Sequence, residues 1–151
     1  LQLSIDAIGA RYEYIRFPGN WNTLILNVTQ YLANQSNNFR LSVSHTVSAY
    51  NIYYLDEFVC WCYNQNLPRP WLGRVHNPAH MRPTVWPGDA KQKIINCLNQ
   101  SLHPDVKNWA ALIEKNDDSN MFDQFQQRLH QHDQYRNTNF ANTFPELASY
   151  I

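Results

Sequence analysis

The opening stretch "LSIDAIGARYEYIR" puts Ser4, Asp6 and Arg16 into one short segment. A serine hydroxyl both donates and accepts hydrogen bonds, and a guanidinium grips a carboxylate through two parallel bonds. Ser4 and Asp6 alternate with Leu3 and Ile5, which places both on one side of an extended strand. Further along, His76 and His80 flank "NPA", but two histidines without a third ligand do not make a metal site. Cys60 and Cys62 stand on a predicted helix, about 200° apart around its axis, and cannot share a metal without breaking it. With Cys97 they make an odd, scattered set that forms neither a disulfide framework nor a cluster-binding group. No metal ligand is assigned.

These side chains must be held by regular elements, and the apolar pattern supplies them. Leu1, Leu3 and Ile5 alternate with Gln2, Ser4 and Asp6, which predicts a strand with one polar face. A loop is predicted from Ala7 to Asn20, after which Asn20 caps a helix carrying Trp21, Leu24, Ile25, Val28, Tyr31 and Leu32 at helical spacing. "FRLSVSHTVSAYN" repeats the strand grammar, with His45 intruding on the side of Val43 and Val47 while Ser42, Ser44 and Thr46 share the other. A helix over 52–64, a third strand at "WLGRVH", and helices near 89–98, 106–115 and 120–135 complete the reading.

The totals bound the function. A chain of 151 residues allows one domain with a real core, and 12 basic residues balance 12 acidic ones. That balance argues against a nucleic-acid or membrane-surface partner, which a basic excess would serve. No apolar run reaches the length of a membrane span, and the sparse cysteines fit a reducing, cytoplasmic setting.

Strands that alternate with helices form parallel sheets through crossover connections. A parallel sheet covered on both sides is apolar on both faces, whereas these strands keep a polar face. The polar face suits the concave inside of a barrel, whose chemistry sits at the C-terminal strand ends. Three strands cannot close one, and the chain opens on a strand with no initiator methionine, so it reads as part of something larger. By position, His45, Asn51, His76 and His80 would line the substrate side of the cavity. The expected division is 1–103 for the barrel part and 104–151 for a helical extension packed on it.

The same residues carry a resemblance. "LSIDAIGARYEYIR" followed by a tryptophan, "TVSAYNIYYLDEF", "VHNPAHMRPTVWP" and "RLHQHDQYRNTNFANTFPEL", in that order, resemble the C-terminal part of twitch-domain-containing radical S-adenosylmethionine (SAM) proteins of phage and bacterial genomes. The resemblance implies an α/β fold, the last three units of a partial (β/α)₆ TIM-type barrel. It implies that Ser4 and Arg16 contact SAM, with Asp6 supporting them. It further implies a [4Fe–4S] cluster whose C-x-x-x-C-x-x-C ligands this chain lacks, a partner supplying the other half of the barrel, and a substrate that could be a peptide. Ala7 stands where many relatives have glycine. The rival expectation is a non-enzymatic α/β remnant that binds a protein or a small ligand without turnover.

Overall fold

The computed structural model describes residues 1–36 and 38–151. Three short parallel strands, β1 (Gln2–Ser4), β2 (Ser42–Val47) and β3 (Trp71–Arg74), form one sheet in the order β1-β2-β3. Ser4 pairs with Ser44, Ser44 with Trp71, and Thr46 with Gly73. Neighbours in register share a face, so Gln2, Ser4, Ser42, Ser44, Thr46 and Trp71 stand together on one side of the sheet. None of these six is buried. Leu3, Val43, His45 and Val47 point the other way and are buried. The helices therefore cover one face and leave the other open, as the polar alternation of the strands requires.

Between β1 and β2 lie α1 (Gly9–Ile15) and α2 (Trp21–Ala33). The expected loop from Ala7 to Asn20 thus contains a two-turn helix. Tyr14 is its one buried residue, with Tyr12 and Ile15 packed half-buried against the core, and two turns are too short for a helical period to stand out. Asn20 does cap α2, its Oδ1 accepting from the Thr23 amide at 2.9 Å. A 3₁₀ turn over Ile52–Tyr54 leads into α3 (Leu55–Asn64) between β2 and β3.

After β3 the chain is helical: α4 (Gly88–Asn99), α5 (Pro104–Lys115), α6 (Phe122–Arg136) and α7 (Phe140–Thr143). Pro104 opens α5, where its missing amide hydrogen costs no bond. Asn137 ends α6 in the left-handed conformation at φ 53°, which asparagine tolerates. Asp133 and Arg136, spaced like a helix-surface pair, instead do separate work. The Asp133 carboxylate accepts from the Phe140 amide and Thr138 Oγ1, pinning the turn into α7, while Arg136 donates to the Tyr14 carbonyl.

One continuous apolar core joins the sheet to the last helices. Trp86, fully buried, packs against Phe122, Phe125 and Phe140, and its Nε1 donates to the Ala49 carbonyl at 2.9 Å. Tyr14 and Tyr50 meet Phe140 and Phe144 in the same cluster. Residues 104–151 therefore share their core with the sheet unit. Among the described residues, no helix is long and apolar enough to cross a membrane.

Candidate functional site

At the C-terminal end of β1 the strand ladder gives way to side chains. The Thr46 amide donates to Asp6 Oδ1 at 2.7 Å, and His45 Nδ1 lies 3.0 Å from the Ile5 carbonyl. Asp6 leaves its second oxygen, Oδ2, for Arg16, which approaches through Nε at 2.6 Å and Nη2 at 2.5 Å. Nη2 also donates to Ser4 Oγ at 2.6 Å. Arg16 reaches this point because it is the C-cap residue of α1, which returns the chain to the strand end. The structure thus brings Ser4, Asp6 and Arg16 into one cluster on the rim of the open sheet face.

The cluster is electrostatically closed at Asp6, which is buried, and open at Arg16, whose side chain keeps 38% of its exposure. Arg16 Nη1 makes no bond among the described residues. Ser4 Oγ accepts from the guanidinium, so its own proton remains available to a ligand.

His45 and Asn51 line only a small void beneath the strand ends. Both are buried, His45 completely. A carbonyl can only accept, so the His45–Ile5 contact fixes the Nδ1–H tautomer and leaves the lone pair on Nε2, which is buried without a partner. Arg11 Nε, also without a partner, lies beside the same void, in which no water fits. Burial pushes the His45 imidazole down to about 4, against the opposing pull of the Asp6 carboxylate. Its ring lies over Phe58 with centroids 4.2 Å apart. Asn51 is a clasp: its Nδ2 donates to the Asp6 and Thr46 carbonyls, each at 2.9 Å, and its Oδ1 accepts from the Ser48 amide at 2.7 Å. Neither side chain offers a free polar group to the open face, and both support the strand ends from within the core.

His76 and His80 follow β3, whereas the cluster follows β1 at the other edge of the sheet. The His76 carbonyl accepts from Arg82 Nε, and His80 lies near Arg128 of α6. No hydrogen bond among the described residues joins either histidine to Ser4, Asp6 or Arg16. A groove of about 690 Å³ runs between α1 and the α6–α7 connection, lined by Glu13, Phe17, Asn137 and Asn142, and it too excludes the cluster. Ser4 and Arg16 thus sit on the rim of an exposed sheet face, with Asp6 buried behind them.

One feature of that face was invisible in the sequence. Trp71 keeps 67% of its surface exposed and folds its indole over Gly73, where a Cβ would collide with the ring. Glycine at 73 gives the indole a flat seat on the sheet. The pattern also gave no sign that Asp56, Cys60 and His103 converge, because His103 comes from the start of α5.

No family model matches the chain, and no curated protein or solved structure matches it.

Proposed function

We propose that this chain forms the C-terminal wall of a radical SAM enzyme of the twitch type, supplying part of the SAM site and of the substrate cavity. The observation that carries the reading is the convergence of Ser4, Asp6 and Arg16 at a parallel-strand end, beside a polar sheet face whose described residues are exposed or half-buried. Ser4 and Arg16 have the donors to hold hydroxyl and carboxylate oxygens of SAM, and Asp6 orients Arg16 toward them. Neither β1 nor β3 has a second neighbour among the described residues, so both edges can accept strands of the remaining barrel.

In an enzyme of this type a [4Fe–4S] cluster would supply the reductive chemistry on SAM, and the residues of this chain would hold SAM and line the substrate side. The cysteines of this chain do not fit such a cluster. Cys60 faces His103, Cys97 donates to the Tyr53 carbonyl, and Cys62 is completely buried. The cluster and its ligands would belong to the partner half, and this chain alone would bind without turnover.

The test is titration of SAM into the folded chain, followed through the amide resonances of Ser4, Asp6 and Arg16. Shifts confined to this rim are expected. Arg16→Ala removes a charge-assisted hydrogen bond and should weaken binding about tenfold to a hundredfold. Unchanged resonances at saturating SAM would defeat the proposal.

A second reading has its own support. Arg16 already spends Nε and Nη2 on Asp6 and Ser4, as a purely structural clasp would. On that reading the chain is a non-enzymatic α/β domain, and Arg16→Ala lowers thermal stability while SAM has no effect on the parent protein.

A further inference from the structure

Away from the sheet rim, α3 and α5 bring together three side chains of different donor type. Asp56 and Cys60 stand one turn apart on α3, and His103 sits at the N-cap of α5. Cys60 Sγ lies 3.5 Å from His103 Nε2 and 3.9 Å from Asp56 Oδ2. One ligand atom from each of the three falls within 4.8 Å of the other two.

These separations fit a metal-centred arrangement. Tetrahedral zinc with bonds of about 2.0–2.1 Å to oxygen or nitrogen and about 2.3 Å to sulfur requires ligand–ligand edges of about 3.3–3.6 Å. The sulfur–nitrogen edge already has that length, while the sulfur–oxygen edge of 3.9 Å and the oxygen–nitrogen edge, within 4.8 Å, must shorten on binding. The surroundings orient the donors. Ser101 Oγ donates to Asp56 Oδ1, holding the carboxylate so that Oδ2 faces the sulfur. The same hydroxyl accepts from the His103 amide at 2.9 Å. Tyr63 stacks on the His103 ring with centroids 5.0 Å apart and planes 15° from parallel. Such outer contacts are how proteins fix the orientation of ligating groups. All three candidate ligands are half-buried, so an ion and one water can reach them.

A catalytic thiol is the competing use of a cysteine beside a histidine. There the acidic partner orients the imidazole, leaving the sulfur in positive surroundings. Here the carboxylate adjoins the sulfur itself, which disfavours a free thiolate and suits a cation between the two. A single thiolate is also too few for an iron–sulfur cluster.

We propose that Asp56, Cys60 and His103 bind a divalent transition metal, zinc by its mixed oxygen, sulfur and nitrogen donors, with water in the fourth position. On binding, the Cys60 thiol proton passes to solvent and a sulfur–metal bond forms, with no change in oxidation state. The ion would staple α3 to α5, independently of any SAM site.

The test is Co²⁺ titration of the EDTA-treated full chain, with Zn²⁺ as competitor. The expected result is a sulfur-to-cobalt absorption band that saturates at one ion per chain and is abolished by Zn²⁺. Cys60→Ala should abolish the band and His103→Gln should weaken binding at least tenfold, while Cys62→Ala and Cys97→Ala leave it unchanged. Circular dichroism of each variant monitors folding. Absence of the band in the folded parent chain, or its persistence in folded Cys60→Ala, overturns the proposal. Since the parent titration decides by itself, a variant that fails to fold does not rescue the idea.

Discussion

Asn51→Ala is expected to destabilise the protein by about 3 kcal/mol, because it strands several buried backbone groups at once. The side chain of Asn51 serves the Asp6 carbonyl, the Thr46 carbonyl and the Ser48 amide, and it is itself 2% exposed. Each group left unpaired costs about 1–3 kcal/mol, and a water entering the vacated space recovers part of that. For a domain of this size, a loss of 3 kcal/mol lowers the melting temperature by roughly 6–12 °C. Asn51→Asp separates hydrogen bonding from packing. It keeps an acceptor for the Ser48 amide but faces two carbonyls with carboxylate oxygen, so it should be no more stable than the alanine variant. Calorimetry of both variants checks the prediction, and a melting temperature within 2 °C of the parent would sink it, being less than roughly 1 kcal/mol.

The second large effect is acid sensitivity caused by His45. Its imidazole, ordinarily near 6.5, is held down to about 4 in the folded protein by burial. Between these values the unfolded chain binds a proton that the folded chain refuses, so stability falls as pH falls. The loss begins near pH 6.5 and is complete below about 4, where it amounts to about 3 kcal/mol. His45→Phe keeps a ring over Phe58 but cannot titrate. It gives up the bond to the Ile5 carbonyl and is therefore less stable at neutral pH. Its stability should nevertheless be flatter than the parent's from pH 6.5 to 4. Urea unfolding across that range reads the slope directly, and parallel curves for the two proteins would refute the assignment. His80 and His132 are also held low by burial, but they remain in both proteins and cancel in the comparison. At lower pH a different set takes over. Glu146, bonded by Tyr54, and Asp118, where Thr84 and Arg82 outweigh the cost of burial, are both held below their ordinary carboxylate values. Their contribution is lost as pH falls through that range.

Both predictions concern residues whose meaning changed between sequence and structure. His45 stood out in the sequence because it broke an apolar alternation, and it is buried on the side that alternation indicates. What the alternation does not encode is that Phe58 and the Ile5 carbonyl wait for it there. Asn51 lay just beyond a strand end, where a polar residue suggests ligand contact. Its partners are backbone groups of residues as distant as Asp6, and backbone polarity leaves no mark in residue type.

The sequence alone determined the alternation of strands and helices, the polar face of the sheet, and the Asn20 cap, because each depends on the local period or on neighbours within one turn. It also placed Ser4 and Asp6 on one strand face, since side-chain direction in a strand follows from parity. The course of α1 stayed hidden because two turns are too short for a helical period to stand out from the flanking residues. Only the tertiary structure decided that Arg16 closes on Asp6, that the last helices share the sheet's core, and that His103 arrives beside Cys60. Those meetings join residues 10 to 122 positions apart, as in the Arg16–Asp6 and Arg136–Tyr14 contacts. They are fixed by how the helices pack on a three-stranded sheet, a balance summed over the whole core and written in no single segment.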